Sequence, residues 1–238
     1  MRKFVLFAMM ALMMIFAVAA LAGEKPSIGV LRFTNHAHCY WWGSGVGDEL
    51  SDMLASELAS KKVFSVLERK EISAVLGEQD LGASGRIDPS TRAKIGKIKG
   101  AQYLVAASVS AYEENTKGGG GGISFGGISV GGKKDKAYIA VDLKIIDTTT
   151  GEIVDTRTVE ATSKSGGLNL GLYKWGVGSH LEQHSKTPVG KAIRACVIEI
   201  ADYLECSMIK GKDSSCMKEY DAKEQKRREK TKSAIDLE

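Results

Sequence analysis

The chain has 238 residues, of which 43% are hydrophobic, and a formal net charge of +4 at pH 7. Arg2 and Lys3 contribute two of these charges and belong to the leader described below. The nearly balanced charge that remains gives no argument for binding to nucleic acid or to anionic lipid. The roughly 200 residues after the leader suit one α/β domain with insertions.

The first 22 residues have the three parts of a secretory signal peptide. Arg2 and Lys3 form the positive region, residues 4–18 form the apolar region, and Ala20-Leu21-Ala22 is a small-residue cleavage site. The alternative is an uncleaved membrane anchor, because residues 4–22 are nearly long enough to span a bilayer. Both interpretations predict that the rest of the chain leaves the cytoplasm.

The first half of the chain predicts strands and helices in alternation. Alternating apolar residues predict a strand over residues 26–33, and a second strand is predicted over 64–67. Between them, apolar residues at helical spacing predict an amphipathic helix over residues 45–60; they are Leu50, Met53, Leu54 and Leu58. A second helix is expected from Ile72. Asp88-Pro89 predicts the start of a third, which would turn Ile95 and Ile98 inward and end at Gly100.

The second half predicts two long strands, a turn, another strand and a long helix. Period-two alternation begins at Tyr103 and again at Ile139, residues 147–151 read as a turn, and a paired strand follows from Ile153. Thr187-Pro188 opens a helix whose apolar residues repeat at helical spacing as far as Leu204. The charged tail is expected to be a solvated helix or disordered. Helices that flank a small mixed sheet form an α/β sandwich.

Four cysteines follow the leader, namely Cys39, Cys196, Cys206 and Cys216. An even number in an exported protein permits disulfides, and four cysteines allow three pairings. Cys206 and Cys216 are close in sequence, so we favour a disulfide between them. Cys196 falls on the apolar face of the last predicted helix, where a buried thiol is expected. The state of Cys39 stays open.

Several short motifs between Phe64 and Tyr112 carry a family resemblance. They are Phe64-Ser-Val-Leu-Glu-Arg-Lys-Glu-Ile, Leu76-Gly-Glu-Gln79, Gly82-Ala-Ser-Gly85, Ile95-Gly and Gly100-Ala-Gln-Tyr-Leu-Val. In order and spacing they resemble the curli production assembly/transport (CsgG-like) family, and a looser likeness covers residues 28–204. The resemblance implies secretion or assembly in the bacterial envelope, in the periplasm and at the outer membrane. It also implies a domain over residues 23–206, after the signal peptide (1–22) and before the tail (207–238).

One position departs from the family pattern. Lipoproteins of this family typically carry a Leu-Ala-Gly-Cys box, whereas this chain has Leu21-Ala22-Gly23-Glu24. The acylated cysteine is therefore missing, and we expect no lipid anchor at this position.

Two insertions are candidates for membrane hairpins. In residues 115–136, a Gly-Gly loop would pair Phe125 with Ile128 and Ile123 with Val130, all four on one face. In residues 163–184, alternate positions are again apolar: Leu168, Leu170 and Leu172, with Trp175 beyond them. The resemblance implies that a ring of subunits closes such hairpins into one barrel. Glycine-rich surface loops are the alternative, because the alternation covers fewer residues than the roughly 9–11 of a spanning strand.

The loop over residues 34–45 contains Tyr40, Trp41 and Trp42. It occupies the place where the family's channels build a narrow ring around the pore, so these aromatics are candidates for a constriction. The alternative is an aromatic patch packed against the domain's own sheet.

Motifs for catalysis or metal binding are not found in the sequence. His36, His38 and Cys39, or His180 and His184, could bind zinc by ligand type but lack a partner set at standard spacing. We therefore expect no enzyme activity, no metal and no cofactor.

Two functions follow as hypotheses. The first is a ring-shaped export channel for polypeptides at the outer membrane. It would be a homo-oligomer. Its partners would be the exported polypeptide or periplasmic and outer-membrane proteins, and it would not bind nucleic acid. The alternative is a soluble periplasmic module that assists envelope assembly or activates a cell-wall synthase.

Overall fold

The computed structural model describes residues 24–115, 124–125, 128–129, 136–164 and 187–234. Most of the described strands belong to one mixed sheet: β1 (Ser27–Val30), β2 (Thr34–Asn35), β3 (Ser65–Leu67), β4 (Tyr103–Asn115), β7 (Lys136–Asp147) and β8 (Ile153–Lys164). Their order is β3-β1-β4-β7-β8, and β2 also pairs with β4. A separate pair consists of β5 (Ser124–Phe125) and β6 (Ile128–Ser129). The helices are α1 (Val46–Ser60), α2 (Ile72–Ala83), α3 (Pro188–Glu205) and α4 (Ser215–Ser233). The predicted α/β fold, a mixed sheet flanked by helices, is confirmed.

The core lies between one face of the sheet and the helices α1 and α3. Leu50, Leu54 and Leu58 of α1 are buried, as their helical spacing predicts. On α3, buried residues recur from Val189 to Leu204 and cover β7 and β8. The two helices also contact each other, so they form one layer on the sheet.

Local signals fix where these two helices begin. The side chain of Thr187 caps α3 by accepting a hydrogen bond from the backbone N–H of Gly190 at 3.2 Å. Pro188 takes the first helical position, as expected. In α1, a Cβ on Gly47 would lie 2.4 Å from the carbonyl oxygen of Phe33. Glycine is required there because the helix start touches the chain that leaves β1.

The predicted helix over residues 88–100 is wrong. The structure has turns and coil there; the Asp88 side chain accepts bonds from the N–H and hydroxyl of Ser90. Ile95 and Ile98, expected to face inward, are exposed, and Gly96 adopts a left-handed φ of 77°. The capping signals fail because the segment has no apolar surface to pack against, and short helices need such packing.

The charged tail forms α4, which is attached to the domain through its first two turns. Cys206 and Cys216 form a disulfide with a Cα–Cα distance of 6.2 Å, the pairing that the sequence favours. A π-helical turn, Cys206–Lys210, carries the chain from α3 toward α4. Met217 is buried, whereas most side chains after Tyr220 are exposed.

Candidate functional site: the sheet end that bears both insertions

The two insertions leave the sheet at the same end. The backbone register pairs Asn115 with Lys136 and Lys136 with Lys164. Asn115 and Lys136 are the two ends of the first insertion, and Lys164 is the second residue of the second insertion. Because neighbouring strands lie about 5 Å apart, the stems of the two insertions are adjacent. At this end, the hydroxyl of Ser163 also donates to the carbonyl of Pro188, where the chain returns from the second insertion.

The described part of the first insertion has the expected pairing. The short strands β5 and β6 are antiparallel, with Phe125 opposite Ile128 and Ser124 opposite Ser129. Ile123 and Val130 lie outside the described residues, as do Leu168, Leu170, Leu172 and Trp175 of the second insertion. The predicted leader with its predicted cleavage site, and His180 and His184, also lie outside them.

Near this end, the loop after β2 folds back onto β4. The backbone N–H groups of His36 and Ala37 both donate to the carbonyl of Val109, at 2.9 and 3.1 Å. The side chain of Asn35 accepts a further bond from the Ala37 N–H at 3.1 Å. These bonds fix the position of the aromatic residues that follow.

The three loop aromatics have different environments. Trp41 is 8% exposed and belongs to the core, Trp42 is half-buried, and Tyr40 is 68% exposed. Trp41 and Tyr40 both pack edge-on against Tyr112 of β4, with ring centroids 5.7 and 5.9 Å apart. The Trp41 indole N–H has no acceptor among the described residues. Tyr40 is therefore the most exposed of the three aromatics.

Tyr112 is a site residue that the sequence analysis missed. The register of β4 with β7 shifts between Val109 and Ala111, so that Val109 opposes Val141 and Tyr112 opposes Ile139. Val109 and Tyr112 consequently share the core face although they are three residues apart. A β-bulge of this kind cannot be read from period-two alternation, which would place Ala111 on that face.

Two ionisable groups near this end of the sheet keep their protons at neutral pH. Burial raises the pKa of Cys39 to about 11 and that of Tyr138 to about 12, with Glu160 adding to the latter, so both groups stay protonated at neutral pH. His36 shares a 3.0 Å hydrogen bond with Ser108 through Nδ1. Within the described residues, no group of three or more His, Cys, Asp or Glu side chains could hold a metal ion.

The Glu68-Arg69 pair of the family-like motif has a structural role at the junction of β3 and α2. The Glu68 carboxylate accepts the backbone N–H groups of Lys70 and Glu71 at 2.7 and 3.1 Å. Arg69 donates to the carbonyl of Lys99 at 3.1 Å.

Across the described ranges, no helix combines the length and apolar character needed to cross a membrane.

Comparison with solved structures finds several distant likenesses. A hypothetical protein from Chlamydia trachomatis aligns with a TM-score of 0.48 and 13% identity, over 79% of this chain and 100% of that one. The PelC dodecamer from Paraburkholderia phytofirmans aligns with a TM-score of 0.38 and 12% identity, over 74% of this chain and 86% of that one.

Comparison of sequences gives the family. The curli production assembly/transport component CsgG of Escherichia coli K12 is 25% identical over 138 residues, which are 56% of this chain and 50% of that protein. The protein of the same name from Salmonella typhimurium gives the same figures. The chain thus spans about half the length of the curated relatives it matches. The family model for the curli production assembly/transport component CsgG matches residues 11–235. Because this match covers most of the chain, the chain belongs to the CsgG family.

Proposed function

We propose that this chain is a subunit of a ring-shaped channel that exports polypeptides across the bacterial outer membrane. Two hairpins from each subunit would close into one barrel. The channel acts mechanically, without catalysis or a cofactor, and the aromatic loop narrows the path at Tyr40. Family membership supports secretion as the general task.

The observation that carries the proposal is the common exit of the two insertions. β4, β7 and β8 are antiparallel and pair up to the register Asn115–Lys136–Lys164. Hairpins that continue these strands would start side by side and point the same way. A lone hairpin cannot enter a bilayer because its edge groups stay unpaired, but a ring of hairpins has no edge. Adjacent stems are the arrangement that such a closed barrel requires of each subunit.

The aromatic loop lies near the same exit. Tyr112, which contacts the rings of Tyr40 and Trp41, is three residues before the end of β4. At about 3.4 Å per residue, the aromatic cluster is about 10 Å below the start of the first insertion. An exposed Tyr40 in a ring of subunits would therefore line the path just beneath the barrel.

Membrane fractionation tests the proposal. We expect the full chain, expressed with its leader in a Gram-negative host, to stay with the outer membrane through high-salt and carbonate washes. Serine substitutions that keep the hairpin length should release it: Ile123→Ser, Phe125→Ser, Ile128→Ser and Val130→Ser together. The matched control, Ser124→Ala with Ser129→Ala, alters the other face of the hairpin and should leave the chain in the membrane.

The alternative is a soluble periplasmic module that assists envelope assembly or activates a cell-wall synthase. Glu24 favours it, because a lipoprotein of the family would carry its acylated cysteine there. Release of the unmodified chain into the periplasmic fraction would refute the channel and leave this alternative.

A further inference from the structure

A long excursion with mostly exposed side chains connects β3 to β4. Its outgoing limb is α2, and its return limb is residues 84–100. Arg69 joins the limbs at the base by donating to the carbonyl of Lys99 at 3.1 Å. Toward the tip, Gly82 lies against Arg92 and Ala93, where a Cβ on the glycine would be 3.3 Å from the Cβ of Arg92. The limbs therefore run side by side as one unit.

This excursion exposes large apolar side chains on both limbs. Ile95 is 64% exposed, and further exposed apolar residues of the two limbs are Val75, Leu76, Leu81 and Ile98. Single exposed apolar residues are ordinary on a protein surface, but several large ones on one connection make it a candidate contact surface.

The return limb is also basic. Arg92, Lys94 and Lys97 are exposed, and no carboxylate of the described residues forms an ion pair with them. Lys99 pairs at 3.2 Å with Glu24, which is itself exposed. The single acidic residue of the limb, Asp88, is bound to Ser90. A partner for this limb should therefore offer apolar side chains together with negative charge.

The start of β8 has those properties. Ile153 is 53% exposed, its neighbour Val154 is exposed as well, and Glu152 immediately precedes them. The Glu152 carboxylate accepts one bond, from the Thr150 hydroxyl at 3.2 Å, and has no cationic partner among the described residues. β8 is an edge strand of the sheet and pairs with β7 among the described strands.

The two surfaces lie at the same end of the sheet. The excursion begins after β3, an edge strand, and returns into β4 in the middle of the sheet, while Glu152–Val154 begin β8, the other edge strand. The return of the excursion and the turn before β8 are neighbours, because the Thr148 hydroxyl donates to the carbonyl of Ala101 at 2.7 Å. Two different but complementary surfaces on one subunit produce head-to-tail contacts between copies, which close into a ring when the rotation permits.

We propose that neighbouring copies of this chain join head to tail, with the excursion of one copy seated on the start of β8 of the next. Ile95 and Ile98 contact Ile153 and Val154, while Lys94 and Lys97 lie against Glu152. This contact rests on the ring proposed above and identifies the surface that builds it. It lies at the sheet end opposite the insertions, so it holds subunits together on the side away from the barrel.

Charge exchange tests this contact. The full chain, purified from the envelope in mild detergent, is analysed by sedimentation and by light scattering after size exclusion. Lys94→Glu with Lys97→Glu, or Glu152→Lys alone, should raise the concentration at which the ring dissociates by about tenfold or more, because like charges then meet across the contact. The three changes together should restore most of the assembly. Lys226→Glu with Lys230→Glu on α4 is the control with the same change in net charge.

Cysteine cross-linking gives a second measurement that does not depend on charge. A mixture of Ile95→Cys chains and Val154→Cys chains should form disulfide-linked dimers on mild oxidation, whereas neither variant should link to itself. A chain with both substitutions should give a ladder of linked species. The native cysteines do not interfere, since Cys39 and Cys196 are buried and Cys206 is bonded to Cys216.

Each contrary result has a distinct meaning. A ring that persists in all charge variants and gives no mixed cross-link would leave the channel proposal standing and overturn this contact. Self-linking of Ile95→Cys would replace it with a two-fold contact. If vesicles of phosphatidylglycerol bind the native chain but not the Lys94→Glu/Lys97→Glu variant, and assembly is unchanged, the basic limb faces lipid instead. A native chain that is monomeric under all conditions would overturn both proposals.

Discussion

Arg157 is the residue that attaches the last helix to the domain. Its side chain is 9% exposed and its guanidinium lies 5.3 Å from the ring centroids of both Tyr203 and Tyr220. It also donates a hydrogen bond to the carbonyl of Tyr220. Tyr203 in turn donates to both carboxylate oxygens of Asp155 at 2.8 Å. The guanidinium of Arg157 on β8 therefore contacts both α3 and α4.

We expect Arg157→Ala to lower the free energy of unfolding by about 2 kcal/mol, because two cation–π contacts and one buried hydrogen bond are lost together. Urea denaturation followed by circular dichroism measures this change. The control is Arg228→Ala on the exposed side of α4, which should cost less than about 0.5 kcal/mol. Equal effects of the two substitutions would show that Arg157 does not hold the helix.

Glu224 gives α4 a pH dependence. A bidentate bond from Arg227 and a further bond from Arg228 hold the pKa of Glu224 at about 2, below its usual 4.5. Since the folded pKa is the lower one, the stabilisation is present above about pH 4.5 and is lost as the pH falls toward 2.

The Glu224→Gln variant should therefore be less stable than the native chain by about 0.5–1 kcal/mol at pH 7. The two chains should be equally stable near pH 2, where Glu224 becomes protonated. Thermal unfolding at a series of pH values from neutral to acid measures the difference. Glu219→Gln, an exposed change on the same helix, should show no such trend. A constant difference across the series would contradict the assigned role of Glu224.

Among the elements, α4 depends on a covalent constraint as well as on packing. The disulfide joins the end of α3 to the first turn of α4 across a separation of 10 residues. Cys206→Ala with Cys216→Ala should lower the free energy of unfolding by about 2–3 kcal/mol, as expected for the closure of a short loop. Amide exchange in α4 should rise in parallel. Adding reductant to the native chain should reproduce both effects, and adding it to the double variant should change nothing.

Apolar spacing in the sequence is most informative for the helices that pack into the core. α1 and α3 are found where apolar spacing places them, because that spacing reflects a core that exists. The helix expected over residues 88–100 is absent although Asp88-Pro89 is a strong start signal. Capping contributes about 1 kcal/mol and cannot replace missing tertiary contacts.

Spacing and capping signals in the sequence do not predict contacts that join distant parts of the chain. The bulge that turns Tyr112 toward Trp41 depends on the partner strand, and the cluster around Arg157 joins residues that are more than 40 positions apart. The adjacent exit of the insertions is likewise a property of sheet register rather than of either insertion alone.

At the scale of the whole molecule, the sheet separates the two proposed sites. One end bears both insertions and the aromatic loop, and the other bears the excursion and the turn between β7 and β8. The strands between them, β4, β7 and β8, have 13, 12 and 12 residues, or about 40 Å at 3.3 Å per residue. We therefore expect that mutations can change the proposed assembly contact and the proposed membrane hairpins separately.

This separation predicts how the two insertions share membrane binding. If they form one barrel, deleting residues 118–132 alone should release the chain from the outer membrane as completely as deleting both insertions, because either loss leaves strand edges unpaired in lipid. If the insertions were two independent surface loops, each deletion would reduce membrane retention in part, and the two reductions would add. Carbonate-resistant retention of the single and double deletions distinguishes these cases. The single deletion should also keep the head-to-tail cross-link between Ile95→Cys and Val154→Cys, since that contact lies at the other end of the sheet.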